Sequence, residues 1–196
     1  MIRKELCAIV GMTIPTFNSH RRNGDLPFKI DNSEGKDAAG RIWSNFTIHH
    51  AAKMLAARNL CDAHNITWAE AAKIMREPST ACGPYGVGHS YFEKDNIFIA
   101  QVEFANSRTN EDPQFMPRIT LYKGLLQDIM ESANSRAIAY TNSRKEGRAP
   151  QDEDICISSI SAVNLSHNYK LAKKIAEHLG IDLQENDYAL DPNGIE

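Results

Sequence analysis

The 196-residue chain has no apolar run that approaches the roughly 18 consecutive residues of a membrane-spanning helix. Its N-terminus lacks both the long apolar core and the small-residue cleavage site of a secretory signal. Its four cysteines form no C-x-x-C pair, which argues against a disulfide framework and against a thiolate zinc site. We therefore expect a cytoplasmic protein whose thiols are reduced.

Signatures of catalysis are missing as well. The sequence contains no G-x-S-x-G, H-E-x-x-H or H-x-E pattern. Its glycine-rich segment 78–91 does not end in the Gly-Lys-Ser/Thr of a phosphate-binding loop, and Cys61 and His64 form a C-x-x-H with no second pair at zinc spacing. We expect no enzymatic activity, no bound metal and no cofactor.

The composition is that of an ordinary folded protein, but the charge is unevenly distributed. Hydrophobic residues make up 42% of the chain and charged residues 24%, which favours a folded domain over a disordered one. The net charge is −3, yet residues 1–60 carry nine Lys or Arg against five acidic residues, a net +4, and the remainder carries −7. This asymmetry suits a protein that meets a polyanion with one end, although enzymes can also show it.

The first 24 residues predict two short helices joined by a tight turn. Apolar side chains in residues 2–10 fall on one face of a helix, which Gly11 can end. Thr13 is placed to cap a second helix, with Pro15 in its first turn, where the missing N–H does no harm. The second helix runs to Gly24.

Side chains on this second helix suit DNA recognition. We expect Ile14 and Phe17 to pack inward with the aliphatic part of Arg21. The side chains left for solvent or a partner are Thr16, Asn18, Ser19, His20 and Arg22. Short hydroxyl and amide groups approach base edges, whereas Arg and His reach phosphate oxygens. The alternative is a solvated helix on any small domain.

A charged hairpin and two further helices are predicted next. Phe28 and Ile30 alternate with Lys29 on a first arm, Ile42 and Trp43 belong to a second, and residues 32–40 between them are rich in turn formers. A charged hairpin that directly follows a recognition helix is a wing. Asn45 or Thr47 can cap a helix over residues 46–60, and Thr67 with Glu70 forms a capping box for another.

This order of elements, together with particular residues, resembles the DNA-binding domain of the MerR-like family. The family's pattern of Gly, apolar, Ser or Thr, two free positions, Thr and Leu is matched by Gly11, Met12, Thr13, Ile14, Pro15, Thr16 and Phe17, and later by Gly24, Leu26 and Pro27. The Arg-x-aromatic near the end of the wing is matched by residues 41–43. Phage excisionases share much of this framework. Asn18 replaces the family's usual Arg, and Ser19 and His20 replace its tyrosines, so the family's usual backbone contacts are not carried over.

The resemblance implies a winged helix-turn-helix domain that binds double-stranded DNA. The residues that it places at the DNA are Thr13, Thr16, Asn18, Ser19, His20, Arg21, Arg22, Lys36 and Arg41. Thr16, Asn18 and His20 would face the major groove, and Arg21 or Arg22 would contact phosphates. Arg41 in the wing would touch the backbone or the minor groove. Thr13 can equally be only a cap, and Arg41 only a surface residue.

Residues 1–77, which we call the head, are followed by a linker predicted at 78–91 and by an α+β domain at 92–196, which we call the body. Within the body, residues 96–105 predict a strand, 117–135 a helix, 136–143 a second strand, 155–165 a third strand and 167–181 a helix that Gly180 stops. The fold class is therefore α+β.

What the body does is open from the sequence. No sustained heptad follows the head, so the coiled coil through which MerR-like regulators dimerise is not expected, and sheet or helix faces would pair the subunits. Polar aromatic residues that can line an effector pocket are Tyr122, Tyr140, His167 and Tyr169. We expect a homodimeric transcriptional regulator that binds an inverted repeat. The alternatives are an excisionase-like architectural protein, a regulator that responds to a small-molecule or protein effector, and a protein-binding adaptor that has lost DNA binding.

Overall fold

The computed structural model describes residues 1–30, 45–76, 80–81, 96–106, 118–145 and 155–188. The α-helices in these ranges are α1 (Arg3–Ile9), α2 (Ile14–Asn23), α3 (Ile48–His64), α4 (Trp68–Arg76), α5 (Leu126–Lys145) and α6 (Leu165–His178). The strands are β1 (Thr80–Ala81), β2 (Phe98–Asn106), β3 (Arg118–Gly124) and β4 (Ile155–Asn164), and a 3-10 helix spans Glu185–Tyr188. The predicted α+β class is confirmed. None of the helices in these ranges is both long and apolar enough to cross a membrane.

Helices α1, α2 and α6 end in the same local motif, which the glycines in the sequence make possible. Gly11, Gly24 and Gly180 have φ angles of 60°, 73° and 66°, in the left-handed region that is costly for residues with a Cβ. After α2, Gly24 N–H donates to Arg21 O at 3.3 Å and Asp25 N–H donates to His20 O at 2.8 Å. This Schellman pattern satisfies carbonyls that the helix leaves without partners.

The four strands form one sheet in the order β1-β3-β2-β4. Strand β2 is antiparallel to both neighbours, and the two-residue β1 is parallel to β3. A bulge interrupts the β2–β4 ladder, since Glu103 pairs with Ser159 but Phe104 pairs with Ile157. The extra residue, Ser158, donates from its hydroxyl to Glu103 O at 3.0 Å, so the bulge keeps a hydrogen bond.

Alternate residues of β2 belong to two different hydrophobic cores, as the two-residue period of a strand requires. Ala100, Val102 and Phe104 pack with α5 residues of one core. Ile99, on the opposite face, joins a second core that includes residues of α1, α2, α3, α4 and α6. The central strand of the sheet therefore contributes to the same core as the helices of the head.

Helix α3 connects the head to the body through direct contacts with α6. The His49 ring lies against the Tyr169 ring, with centroids 4.9 Å apart. Asn59 Nδ2 donates to Asn168 Oδ1 at 2.9 Å, and Asn168 Nδ2 donates to the carbonyl oxygen of Asn164 at 2.8 Å. The head and the body thus share a continuous core, while the exact domain boundaries remain a prediction.

Two of the predicted elements of the body are wrong. Residues 118–124 of the predicted helix are strand β3, and the predicted strand at 136–143 is the second half of α5. Apolar residues four apart had suggested a helix, but this spacing runs across the junction of β3 and α5. After Ile129, the buried residues of α5 are Ala133, Ala137 and Thr141, which are small, whereas Ile138 is 62% exposed. The apolar pattern of the second half of the helix was therefore hidden.

Several predictions fall largely outside the residues that the structure describes. The wing at 31–44 is one of them, although residues 28–30, its predicted first arm, form no strand. Of the predicted linker at 78–91, only Thr80–Ala81 is described, and these two residues pair with Tyr122 and Lys123 of the sheet.

The first and last described parts of the chain meet beside the head. The Met1 ammonium forms a salt bridge with the Asp187 carboxylate, and Phe46 N–H donates to Met1 O at 2.9 Å. Phe46 is buried and makes edge contacts with the rings of Phe17 and Phe28, at centroid distances of 5.6 and 6.1 Å. The 3-10 helix after α6 is therefore tied to the residues that support α2.

We expect Asn168→Ala to lower the free energy of unfolding by about 1–3 kcal/mol, because a side chain that is 1% exposed loses two hydrogen bonds. Urea denaturation followed by circular dichroism measures the change. Asn59→Ala is the matched control: it removes one of the two hydrogen bonds and leaves the bond from Asn168 Nδ2 to Asn164 O in place, so the loss is smaller. Equal losses in the two variants would contradict a structural role for the buried amide.

Candidate nucleic-acid interface

Helix α2 begins after Thr13, as the sequence predicts. Thr13 Oγ1 accepts a hydrogen bond from Thr16 N–H at 3.2 Å, which confirms Thr13 as the N-cap. The two hydroxyl oxygens lie 2.7 Å apart and share a hydrogen bond, so Thr13 also orients the Thr16 side chain. Both residues are exposed, and the helix start is accessible.

The orientation of α2 is set by Phe17, its one buried residue. Successive helical residues are rotated by about 100°, so Asn18, Ser19 and Arg22 lie on the side away from Phe17. Arg22 is exposed, and Asn18 and Ser19 are half-buried. The expectation that Ile14 packs inward is wrong, because it is 38% exposed at the first position of the helix, and the core is reached only one turn later at Phe17.

His20 lies against helix α4. Its ring and that of Trp68 have centroids 4.8 Å apart, and its Nδ1 is buried without a hydrogen-bond partner. Burial lowers the pKa of His20 below its ordinary value of 6.5, and the nearby Asp25 carboxylate opposes this with a smaller effect. The ring therefore adds packing more than positive charge at neutral pH, and a DNA contact by His20 remains only a prediction.

Helices α3 and α4 hold both ends of α2. Trp68 Nε1 donates to Asp25 O at 2.8 Å, and the Arg76 guanidinium donates to Gly24 O. At the turn before α2, Arg58 donates to Gly11 O at 3.4 Å. These bonds use carbonyls outside the helix ladder, so α2 is fixed as a rigid element, which a recognition helix needs for a defined register.

Basic side chains flank the exposed side of α2. Arg22 is exposed and Arg21 is half-buried in the last turn. Arg3, at the start of α1, is exposed and donates from its guanidinium to Asn18 Oδ1 at 3.0 Å. The sequence analysis missed Arg3, because local patterns cannot reveal that its guanidinium meets a side chain fifteen positions later.

The other predicted functional residues are the two cations of the wing and the polar aromatic residues of the body. Lys36 and Arg41 lie outside the described residues. The four polar aromatic residues considered for a pocket are not brought together, since Tyr122 and Tyr169 are buried in different cores and His167 is exposed. Across the described ranges, no group of three or more His, Cys, Asp or Glu side chains is arranged to hold a metal ion.

The α2 surface offers both kinds of contact that a DNA reader uses. Asn18, Ser19 and Thr16 carry short hydrogen-bonding groups, and Arg3 and Arg22 carry positive charge beside them. No family model matches the chain, and neither a curated protein nor a solved structure is significantly similar to it. The geometry of α2 and its surroundings is therefore the basis for any proposal about function.

The lowered pKa of His20 gives a pH dependence with a definite sign. Below pH 6.5 His20 is protonated in the unfolded chain but stays neutral in the folded protein, because its folded pKa is lower. The contribution of His20 to the free energy of unfolding is therefore fully present above pH 6.5 and is lost as the pH falls towards the folded pKa. We expect His20→Gln to flatten this part of the profile, measured as the free energy of unfolding from pH 7.5 to 5. His64→Gln, at an exposed site on α3, is the control and should leave the slope unchanged. A wild-type slope in His20→Gln would show that His20 has no part in it.

Proposed function

We propose that this protein is a sequence-specific regulator of transcription that binds double-stranded DNA as a homodimer. The observation that carries the proposal is the exposed side of α2, which presents short polar side chains together with Arg22 and, through its bond to Asn18, Arg3. Hydrogen bonds from α3 and α4 hold both ends of this helix. This combination matches the division of labour in DNA recognition, in which base edges are read by short polar groups and phosphates by cations.

In the proposed complex, α2 enters the major groove with the side opposite Phe17 towards the bases. Asn18, Ser19 and Thr16 then approach base edges, while Arg22 contacts a phosphate. Thr13 stays in its role as the helix cap. The wing residues Lys36 and Arg41 would extend the contact along the backbone, as the MerR-like resemblance implies.

The charge distribution supports this orientation on DNA. Residues 1–60 carry a net charge of +4 and the rest of the chain −7, so a polyanion attracts the first 60 residues and repels the remainder. Binding that neutralises phosphates releases counterions and must weaken as salt rises.

A homodimer would place two α2 helices on an inverted repeat. The two half-sites of such a repeat are separated by one helical turn of DNA, about 34–36 Å, or by a multiple of it. The body would supply the contacts between subunits. Sedimentation velocity of the full chain, with and without the DNA selected below, measures the stoichiometry directly.

The test of the proposal is selection of binding sites from a random DNA pool with the full-length protein, followed by a salt titration on the winning sequence. Enrichment of an inverted repeat supports the dimeric regulator. Salt-sensitive binding without enrichment favours an excisionase-like architectural role. No binding to any DNA favours a protein-binding adaptor. A change in DNA affinity on adding cell metabolites would favour a regulator that responds to a small-molecule effector.

Asn18→Ala should weaken binding to the selected site by about 1–3 kcal/mol, because it removes a base contact. Fluorescence anisotropy on the selected duplex and on a scrambled duplex measures both affinities. Binding to the scrambled duplex should stay nearly unchanged, since this substitution removes no phosphate contact. An equal loss on both duplexes would refute a base-reading role for Asn18.

Arg22→Ala should weaken binding to all sequences and reduce the slope of log affinity against log salt by about one, because one phosphate contact is lost. Lys174→Ala removes an exposed cation from α6 and serves as the matched control. The control should keep the wild-type slope. Identical slopes in wild type and Arg22→Ala would place Arg22 away from the DNA backbone.

A further inference from the structure

The bond between Arg3 and Asn18 fixes which atoms the Asn18 amide can present to a partner. The Arg3 guanidinium lies 3.0 Å from Oδ1 of Asn18. A guanidinium has donors and no acceptor, so only the oxygen of an amide can face it. With the oxygen turned towards α1, the NH₂ group of Asn18 points to the other side, where it offers two donors.

We propose that Arg3 determines the base preference of the recognition helix by holding Asn18 in this orientation, so that Asn18 reads hydrogen-bond acceptors on a base edge. The inference rests on the proposed DNA-binding function and deepens it. Arg3 acts as a positioning residue, because it works through Asn18.

The major groove makes this orientation informative. An asparagine whose oxygen and nitrogen are both available pairs with adenine, accepting from N6 and donating to N7. When the Asn18 oxygen is turned towards α1 and one of its two lone pairs accepts from Arg3, the NH₂ group is the part of the amide left for the base edge. It favours an edge made of acceptors, such as guanine, with N7 and O6 side by side, or thymine, with O4. The base opposite Asn18 should therefore be guanine or thymine in preference to adenine.

The position of Arg3 fits a role in selectivity better than a role in stability. Arg3 is exposed and Asn18 half-buried, and a surface hydrogen bond of this kind contributes little to folding. The bond joins α1 to α2 across the turn and ends on Asn18, one of the polar residues of the α2 surface. Its main effect is on the direction of one amide group.

The test compares site selections for the wild type, Arg3→Ala, Arg3→Lys and Lys4→Ala. The base position read by Asn18 is identified first, as the one whose preference disappears in Asn18→Ala. At that position we expect guanine or thymine for the wild type. In Arg3→Ala the oxygen is free to turn towards the base and accept from adenine, and the ratio of adenine to the wild-type base should rise about fivefold or more, the low end of what one good base contact discriminates.

Two of the variants separate positioning from charge. Lys also donates without accepting, so Arg3→Lys should retain the wild-type base preference. Lys4→Ala removes the neighbouring exposed cation of α1 and should lower affinity for all sequences while leaving the base preference intact. Circular dichroism verifies that each variant is folded.

The outcomes that overturn the inference differ from those that overturn the proposed function. Adenine at the Asn18 position in the wild type, or an unchanged base preference in Arg3→Ala, would overturn the role of Arg3 while DNA binding stands. A wild-type protein that binds no DNA would overturn the proposed function and this inference with it.

Discussion

Helix α3 imposes the main constraint on this structure, because it has to be covered on most of its sides. Ten of its 17 residues are buried, and they include alanines that allow close approach and two histidines. A helix that is apolar around most of its circumference is stable only in an interior. Helices α1, α4 and α6 and strand β4 lie against α3. Phe17 of α2 and Ile99 of the central strand belong to the same core.

The buried histidines of α3 are accommodated by specific partners. Thr47 N–H donates to His50 Nδ1 at 2.9 Å, so His50 takes the place of the acidic residue in a capping box and its acceptor satisfies an N–H at the helix start. The other edge of the His50 ring meets Phe28 and Phe46. Phe28 and Phe46, on either side of residues 31–44, thus meet at α3 in an aromatic cluster, which also includes Phe17 of α2.

Sequence reasoning worked where the signal was local and failed where it was not. The caps at Thr13 and Thr67 and the glycine stops at Gly24 and Gly180 were predicted, because each acts within one helical turn. Strand β3 was predicted as helix, because the apolar spacing continued across its junction with α5. The second half of α5 was predicted as a strand, because its buried residues are small. The residues of α2 were identified from the sequence, but the bond from Arg3 and the stacking of His20 on Trp68 depend on tertiary packing.

Because α3 packs against helices of both the head and the body, the head cannot be separated from the body without exposing part of α3. A polypeptide cut after Arg76 would place the His49 and Asn59 side of α3 in water, where Tyr169 and Asn168 now cover it. Helix α3 of such a fragment would expose apolar residues that α6 covers in the full chain. Fragments with an exposed apolar surface of this kind self-associate. Transplanting the head onto another protein would therefore require redesigning that apolar surface, because α2 would otherwise lose the support that orients it.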